Sequence, residues 1–295
     1  MKTAVVLLNY NDYENTSNYV EFMSKYNSID KILIVDNNST NENEVKKLEK
    51  LNSDKVETIV SDKNGGYAYG NNFGLRYLDL NYKDEFDYII ISNPDVFVEE
   101  NDIKKTLEFL EKNDKAIIAA PRMHFKTGAA RRSAWKRRSF FIDVACSTRI
   151  TELLLFYLLK KGEYSKDELK ESTLEVFAIA GSFFIAKHEM FKKIGYFDEN
   201  TFLFFEEDIL AEKVKSAGYK IYSLNNEKFI HYESKTIGKA MNVFKKQDIL
   251  FDSRIYYHKT YENIGEIKVF LLNILRYIRK FELLFEIPMR KLLRK

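Results

Sequence analysis

The sequence predicts an α/β fold in which a mostly parallel sheet is covered by helices on both faces. Short apolar runs alternate with amphipathic stretches through the first half of the 295 residues, an order typical of parallel sheets. Apolar residues make up 45% of the chain and aromatic residues 15%, which is enough for a large core. Only three prolines occur, so long proline-rich linkers are excluded.

The elements of the first half follow one another in strand and helix order. Their apolar spacing changes from short continuous runs, typical of buried strands, to the three-and-four spacing of helices. Strands are predicted at residues 3–9, 31–37, 56–61, 87–93 and 116–121, and helices at 15–26, 42–51, 70–80 and 101–112.

The second half has a different pattern. A strand is broken at residues 180–182 and continues into a short helix. Aromatic residues then lead into the acidic run 206–208, which opens an amphipathic helix ending at Gly218. A strand at 219–225 and, after a gap, a further apolar run at 229–236 close the pattern.

Charge and cysteine content exclude several classes of protein. The net charge of +3 is too small to indicate a nucleic-acid partner. The single cysteine, Cys146, excludes an intramolecular disulfide and a cysteine-rich zinc site. No uninterrupted apolar stretch reaches the roughly 20 residues that cross a bilayer, and the N-terminal apolar run is too short for a signal peptide. We therefore expect a cytoplasmic protein.

Polar or glycine-rich stretches follow four of the predicted strands. They are residues 9–11, 36–38, 63–72 and 93–95. Open α/β sheets bind ligands beyond the carboxyl ends of their strands, so these stretches predict one shared ligand site. The turn after the first strand, "NYND", lacks the dinucleotide fingerprint, and no Walker-type glycine loop occurs in the chain.

Structural roles compete for the same residues. Asp95 is compatible with a simple turn after Pro94, and Asp36 with the capping of a following helix. The acidic run 206–208 has the composition of an ordinary helix start, where acids stabilise by about 0.3–1 kcal/mol. His231 suits a hydrogen-bonded polar role as well as a metal-ligand role.

Taken together, seven motifs resemble those of the inverting glycosyltransferases of family 2, in particular their rhamnosyltransferase-like branch. They are "VVLLNYN", "IVDNNST", "NGGYAYGNNFGL", "ISNPDVFV", "AIAGSFFIAKHEMFKKIGYFDE", "FLFFEEDILAEKVKSAGY" and "IHY", in this order over residues 3–235. The resemblance implies a GT-A fold. It also implies transfer of a sugar from a nucleoside diphosphate to an acceptor hydroxyl, with inversion at the anomeric carbon.

The resemblance also implies a nucleotide site and a metal site. Asp95 matches the second aspartate of the family's Asp-x-Asp element, Asn93 stands where the first aspartate often stands, and His231 matches a position that can complete the metal shell. Mg²⁺ or Mn²⁺ is the implied cofactor. The implied nucleotide contacts are Asn9, Tyr10, Asn11, Asp36, Asn64, Gly65 and Asn93.

The implied general base lies in the Glu-Asp element at Glu207-Asp208. Asp208 is our choice, although Glu206 makes the register ambiguous by one residue. A carboxylate here would take the proton of the incoming hydroxyl, and the helix dipole would lower its pKa. Contacts to the acceptor or to phosphate are expected from Gly181, Arg131 and Arg132, the arginines because guanidinium pairs with phosphate in two-pronged fashion.

Two further segments carry surface charge. The basic run "ARRSAWKRR" at 130–138 is either a solvated loop or an acceptor-side loop. The tail at 266–295 has eight basic and three acidic residues on an apolar helical pattern. It suits a membrane interface, packing on the catalytic domain, or packing on a second subunit as in a homodimer. Residues 150–162 are a second candidate for membrane contact.

From these features we predict a GT-A domain at 1–235 and a helical extension at 236–295. The domain would comprise a nucleotide-binding half at 1–121 and an acceptor half at 122–235. The donor would be a dTDP- or UDP-sugar, preferably of rhamnose, and the acceptor a lipid-linked saccharide or oligosaccharide of a bacterial surface polysaccharide. We expect a location peripheral to the inner face of the cell membrane. The alternatives are a non-catalytic subunit with the same fold and a sugar-nucleotide pyrophosphorylase, whose glycine-rich signature is missing near the N-terminus.

Overall fold

The computed structural model describes residues 1–155, 162–232 and 242–292. The strands are β1 Thr3–Asn9, β2 Lys31–Asp36, β3 Val56–Val60, β4 Tyr88–Ser92, β5 Val96–Val98, β6 Ala116–His124, β7 Ala134–Trp135, β8 Thr173–Val176, β9 Ala178–Ile179, β10 Phe183–Lys187 and β11 Lys220–His231. The helices are α1 Tyr13–Met23, α2 Glu44–Glu49, α3 Tyr67–Tyr82, α4 Glu100–Lys112, α5 Phe140–Ala145, α6 Arg149–Leu154, α7 His188–Lys193, α8 Glu206–Ser216, α9 Val243–Tyr261 and α10 Glu266–Leu292.

One mixed sheet of nine strands organises the described part of the chain. Its order is β3-β2-β1-β4-β10-β6-β11-β5, and β8 pairs with β11 outside this path. The first four strands in sequence are parallel, and β10 runs antiparallel to both β4 and β6. The α/β prediction is confirmed, with the addition that β10 from the second half of the sequence completes the sheet. The two predicted halves therefore share one sheet.

Apolar side chains alternate between the two faces of the sheet, as the pleat requires. In β1, Ala4 and Val6 belong to one core cluster and Val5 and Leu7 to the other. Helices α3, α7 and α8 cover the first cluster, and helices α1, α2 and α4 cover the second. Each fully buried side chain of this kind stabilises the fold by about 1.5–3 kcal/mol.

Several boundaries differ from the sequence prediction, and two of these differences have a clear structural cause. Helix α3 begins at Tyr67 rather than at residue 70, because Gly66 adopts a left-handed φ of 91° directly before it. The predicted strand at 219–225 and the start of the next apolar run, residues 229–231, form one long strand, β11, whose register against β6 shifts between Leu224 and Lys228. An irregularity inside a strand looks like a loop in the sequence.

The C-terminal helices form a small third cluster beside the sheet. Leu272 and Leu275 of α10 pack with Phe251 of α9 and Phe140 of α5. Within the described residues, no helix combines the length and the apolar character needed to cross a membrane. Outside the described residues lie 156–161 of the second membrane candidate, 233–235 of the predicted GT-A domain, and 236–241 and 293–295 of the predicted extension.

Candidate active site

The ends of β1 and β2 are joined by buried hydrogen bonds. Asn9 and Asp36 are adjacent in the parallel register, and the Asn9 amide donates to Asp36 Oδ1 at 2.8 Å. The side-chain oxygen Oδ1 of Asn9 accepts from the Thr16 hydroxyl at 2.8 Å. The backbone N–H of Ser39 donates to Asp36 Oδ2 at 2.9 Å, and its hydroxyl donates to Oδ1. Both carboxylate oxygens of Asp36 thus accept hydrogen bonds from the protein, and these bonds fix the ends of β1 and β2 relative to each other.

The loops that follow β1 and β2 are joined to each other by hydrogen bonds of Asn11. This residue has a left-handed φ of 50°, and its backbone N–H donates to the Ser39 hydroxyl at 2.8 Å. Its side chain donates to Thr40 Oγ1 at 3.0 Å and accepts from the backbone N–H of Asn41 at 3.0 Å. Tyr10 stands beside it, half-buried. The structure therefore brings Asn9, Tyr10, Asn11 and Asp36 into one rigid corner.

The glycine-rich stretch packs against the segment that precedes α8. Asn64 Oδ1 accepts from the Asn37 amide and from the backbone N–H of Gly66, both at 3.2 Å. A Cβ added at Gly66 would lie 2.0 Å from the carbonyl oxygen of Phe202, and one at Gly65 would lie 2.3 Å from the Tyr69 ring. Only glycine permits both close approaches.

Asp95 and His231 form a pair at the carboxyl end of β4. His231 is the last residue of β11, and its Nε2 lies 3.1 Å from Asp95 Oδ1. The backbone N–H of Tyr232 donates to the carbonyl of Asp95 at 2.9 Å, which fixes the pairing. The Nδ1 atom of His231 is buried and has no hydrogen-bond partner within the described ranges.

The donor set of this pair suits a hard or borderline divalent cation. A carboxylate, an imidazole and phosphate oxygens from a ligand would together supply enough donors for Mg²⁺ or Mn²⁺. No group of three or more His, Cys, Asp or Glu side chains that could hold a metal occurs among the residues with described positions. Within the part of the chain that the structure describes, this pair offers two ligands, and the remaining donors would come from a ligand and water.

The junction between β9 and β10 connects this pair to the acidic run. The backbone N–H of Asn93 donates to the carbonyl of Ser182 at 2.9 Å. One residue earlier, the backbone N–H of Gly181 donates to Glu207 Oε1 at 3.2 Å, and its carbonyl accepts from the Tyr67 hydroxyl. The Asn-Pro-Asp turn and the acidic helix therefore border the same short segment of chain.

Helix α8 starts directly after two strained residues. Phe204 and Phe205 have φ angles of 73° and 67°, a region that costs a non-glycine residue of the order of 1–3 kcal/mol. Phe205 is buried and packs its ring 5.4 Å from that of Tyr257, and the Ser253 hydroxyl donates to the carbonyl of Leu203 at 2.8 Å. Helix α9 thereby holds the strained entry to the acidic run.

Asp208 is sealed inside the protein. It is 2% exposed, with the Trp135 indole N–H 3.0 Å from Oδ1 and the Arg138 guanidinium 3.1 Å from Oδ2. Burial raises the pKa of Asp208, although the charge of Arg138 opposes this. The sequence predicts a pKa lowered by the helix dipole, but desolvation outweighs that favourable field.

Glu207 is part-exposed and differs from both of its acidic neighbours. Burial raises the pKa of Glu207, the charge of Asp208 adds to the rise, and the Gly181 N–H opposes it. Burial raises the pKa of Glu206 well above its usual range, and Glu206 Oε2 has no hydrogen-bond partner in the described part of the chain. Of the three carboxyl groups, Glu207 combines solvent access with a raised pKa.

The structure places Arg131 and Arg132 in a cleft next to β7. The Arg132 guanidinium lies 3.1 Å from Glu163 and 5.9 Å from the Trp135 ring centroid. The Arg131 guanidinium lies 5.1 Å from the Phe125 ring centroid. With Arg122 they line a cavity of about 200 Å³. Arg132 reaches the acidic run only through Trp135.

Three residues of the site were not predicted from the sequence: Tyr67, Trp135 and Arg138. The available signal was the basic run 130–138 around the only tryptophan, which indicated charge without a buried partner. A larger cavity of about 650 Å³ lies near Tyr88 and Lys187, at the opposite edge of the sheet from the residues above.

The protein is thus of the α/β class with a mixed sheet. At the carboxyl ends of its strands, a carboxylate–imidazole pair lies on one side of the 180–182 segment and an acidic helix start on the other. In α/β proteins this end of the sheet is the usual place for a ligand. The model of the family "Glycosyl transferase family 2" matches residues 4–195, and the chain belongs to this family. The resemblance inferred from the motifs is therefore confirmed.

Two curated proteins show sequence similarity. The low-salt glycan biosynthesis hexosyltransferase Agl10 of Haloferax volcanii is 24% identical over 207 residues, which cover 69% of this chain and 58% of that protein. The rhamnosyltransferase WbbL of Escherichia coli K12 is 22% identical over 170 residues, which cover 57% of this chain and 61% of that protein. The matches thus span about three fifths of the length of each relative.

Solved structures share the fold at low identity. GalNAc-T7, solved with UDP, GalNAc and Mn²⁺, gives a TM-score of 0.60 at 17% identity over 79% of this chain and 44% of that chain. The mannosyltransferase PcManGT of Pyrobaculum calidifontis, solved with GDP-Man and Mn²⁺, gives a TM-score of 0.58 at 12% identity. The match covers 89% of this chain and 64% of that chain. TarS 1–349 of S. aureus, solved with UDP-GlcNAc, gives a TM-score of 0.54 at 14% identity. The match covers 96% of this chain and 73% of that chain. These likenesses establish the GT-A fold.

Proposed function

We propose that this chain transfers a sugar from a nucleoside-diphosphate donor to an acceptor hydroxyl, with inversion. The observation that carries the proposal is the 180–182 segment, which contacts the Asn-Pro-Asp turn on one side and Glu207 on the other. A group bound across it would have its diphosphate beside Asp95 and its reacting carbon facing a carboxylate. Membership of glycosyl transferase family 2 supports the same chemistry.

The nucleotide would occupy the rigid corner at the ends of β1 and β2. Because Asn9 and Asp36 are already hydrogen-bonded to each other, they act mainly by fixing the shape of that corner. Tyr10 and Asn11 would contact the base and ribose, and Asn64, Gly65 and Asn93 would follow the rest of the nucleotide. We favour a dTDP- or UDP-sugar, with rhamnose preferred because one relative is named a rhamnosyltransferase.

Asp95 and His231 would hold the divalent cation, either Mg²⁺ or Mn²⁺. The bound cation would offset the negative charge that develops on the departing diphosphate. Two structures of the same fold were solved with Mn²⁺, which supports a divalent ion of this kind. The pair itself brings one carboxylate and one imidazole to the diphosphate side of the cleft.

Glu207 is the base that the geometry supports best. Both oxygens of Asp208 already accept hydrogen bonds and the side chain is shielded from solvent, so an acceptor hydroxyl has no approach to it. Glu207 would take the proton of the acceptor hydroxyl while the hydroxyl oxygen forms its bond to the anomeric carbon. The bond from that carbon to the diphosphate breaks, and the nucleoside diphosphate departs with the electron pair. Such base catalysis typically contributes about 10²–10⁴-fold.

The acceptor would lie on the side of Trp135, Arg131 and Arg132. A saccharide ring can stack on the half-buried indole, and the arginine cleft suits a phosphate of a lipid-linked acceptor. Gly181 would leave room for the acceptor, since a Cβ there would stand 3.2 Å from Glu207 Oε1. We favour a lipid-linked saccharide or an oligosaccharide destined for a surface polysaccharide.

The deciding experiment is a donor screen that follows release of nucleoside diphosphate with and without Mg²⁺ or Mn²⁺. The proposal expects metal-dependent release that increases with a saccharide acceptor and is lost in Glu207→Gln. Binding of sugar nucleotides by the native chain without release, for every donor and acceptor pair, would instead identify a non-catalytic binding subunit with this fold.

A further inference from the structure

Helix α10 presents a second apolar face, which points away from the protein core. Its inner face packs Leu272 and Leu275 against α9 and α5. Six large side chains on the opposite face are each more than half exposed, and a helical repeat of about 3.6 residues per turn places all six on one side of the helix. These residues, here called the outer stripe, are Ile267, Phe270, Tyr277, Phe281, Leu284 and Phe285.

The outer stripe carries no exposed carboxylate. Between residues 267 and 288, all of which the structure describes, every exposed residue of α10 is apolar, aromatic or lysine. The carboxylate of Glu282 accepts from the backbone N–H groups of Arg149 and Ile150, at 2.9 and 3.0 Å. Glu286 is bound by the Arg279 guanidinium at 2.6 Å. Both acids are thus neutralised within the protein.

The contact through Glu282 places α6 beside the C-terminal part of α10. Ile150, Leu153 and Leu154 of α6 are 54%, 76% and 71% exposed, so they add apolar surface in the same region. Monomeric proteins rarely expose connected apolar patches larger than a few hundred Å², and larger ones mark binding surfaces. The outer stripe, about 30 Å long at 1.5 Å per residue, requires a partner of comparable extent.

We propose that the outer stripe and the exposed side chains of α6 lie in the interface of an anionic lipid bilayer. The charge of the segment fits this occupant, because residues 266–295 hold eight basic and three acidic residues. An anionic leaflet attracts a segment with an excess of basic residues, and aromatic rings prefer the boundary between headgroups and acyl chains. None of the described helices can span the membrane, so α10 lies along its surface.

A second copy of the chain fits this surface less well. A two-fold contact through the outer stripe would bring two basic segments together, and the stripe has no exposed carboxylate to offset them. Membrane contact goes beyond the proposed reaction and does not depend on it. It would also hold the acceptor side of the protein near lipid, because α5 and α6 directly follow Arg138 in the chain.

The test is flotation of the full chain with vesicles of phosphatidylcholine alone and with one third phosphatidylglycerol. We expect binding to the anionic vesicles that weakens with added salt. The double variant Phe281→Ser/Phe285→Ser should lower the partition coefficient about tenfold or more, since it removes two exposed aromatic rings of the outer stripe. Leu80→Ser, which removes a side chain 75% exposed on α3, is the matched control and should bind like the native chain.

Thermal unfolding of all three proteins shows whether the variants are folded. Because the substituted side chains are exposed, we expect unchanged unfolding midpoints. Equal flotation of the double variant and the native chain would overturn the proposal. So would light scattering that shows a native dimer which the double variant dissociates, together with no binding to anionic vesicles. That second result would assign the outer stripe to a partner copy.

Discussion

Arg138 and Asp208 form an ion pair behind the acidic helix start, with 3.1 Å between the guanidinium nitrogen and Oδ2. Asp143 lies 3.7 Å from the same guanidinium, so one arginine faces two buried carboxylates. The charges of Asp208 and Asp143 raise the pKa of Arg138 despite its burial, so it stays charged. The pair links the segment after Trp135 to α8 and fixes where Glu207 stands.

Removal of Arg138 should destabilise the protein strongly. Arg138→Met leaves two buried carboxylates without their cation, and breaking such a pair costs about 3–5 kcal/mol. Urea unfolding measures the loss. Arg132→Met is the matched control, since its partner Glu163 is exposed and the pair should contribute less than about 1 kcal/mol. Equal losses in the two variants would contradict the assigned role of Arg138.

The two acids of α8 should respond differently to neutralisation. Glu207→Gln keeps the shape of the site and removes the base, so kcat should fall about 10²–10⁴-fold while the donor dissociation constant stays unchanged. Asp208→Asn should chiefly lower stability, because Arg138 then lacks a charged partner. Steady-state kinetics and donor calorimetry on both variants distinguish these effects. A near-native kcat in Glu207→Gln together with a large loss in a stably folded Asp208→Asn would reverse the assignment.

Metal-dependent donor binding should require Asp95 and His231. Asp95→Asn or His231→Ala should weaken binding of the nucleotide sugar in the presence of Mn²⁺, and should change it little in the presence of a chelator. Titration calorimetry under both conditions gives the comparison. His124→Ala is the matched histidine control, since His124 Nδ1 instead contacts the backbone carbonyl of Gly128 at 2.9 Å. An identical Mn²⁺ response in His231→Ala and His124→Ala would exclude His231 from the metal site.

Gly66 should be far less tolerant of substitution than Gly128, although both have positive φ angles of 91° and 84°. The left-handed backbone penalises alanine by about 1–2 kcal/mol at either position. At Gly66 the new Cβ would also meet the Phe202 carbonyl, whereas at Gly128 it would meet nothing within 4 Å. Gly66→Ala should therefore unfold at lower urea and weaken donor binding. Equal midpoints for the two variants would show that the 63–66 loop shifts freely.

The stability of the α5–α9 contact should depend on pH through His258. Burial alone would lower the pKa of His258, but hydrogen bonds to Asp143 and Glu262 outweigh burial and raise it. A raised pKa means that this contribution is complete below the unfolded value of 6.5 and is lost as the pH rises through the folded pKa. The free energy of unfolding should fall by at most about 1.4 kcal/mol per pH unit in that range.

His258→Gln should remove this slope above pH 6.5, as urea titrations of both proteins at several pH values would show. His124→Gln is the control, because it leaves the contact between α5 and α9 intact. A slope that persists in His258→Gln would assign the pH dependence to another group.

The strands of the first half of the chain were predictable because their apolar runs are continuous and their polar ends are abrupt. Asn9 and Asp36 could be placed together on the grounds that parallel strands end at one edge. The insertion of β10 between β4 and β6 was not predictable, because a short apolar run indicates a strand but not which strands it pairs with or in which direction. The outer stripe of α10 has the same composition as a core-facing stripe, so only the structure distinguishes them.

The candidate site was predictable in composition but incomplete in its contacts. Asp95 and His231 lie 136 residues apart in sequence yet contact each other, and only a family resemblance could pair them. The difference between Glu207 and Asp208 depends on which side chain Trp135 and Arg138 reach. The sequence shows three adjacent acids and cannot show which of them is covered.

The position of β10 has a consequence for biosynthesis. A nascent chain that has left the ribosome only as far as residue 124 contains β4 and β6 but lacks β10, the strand that lies between them, so the facing edges of β4 and β6 are unpaired. Open edges of buried, apolar strands readily join those of other chains. Until residue 187 emerges, the growing polypeptide would need a chaperone at that gap to avoid aggregation.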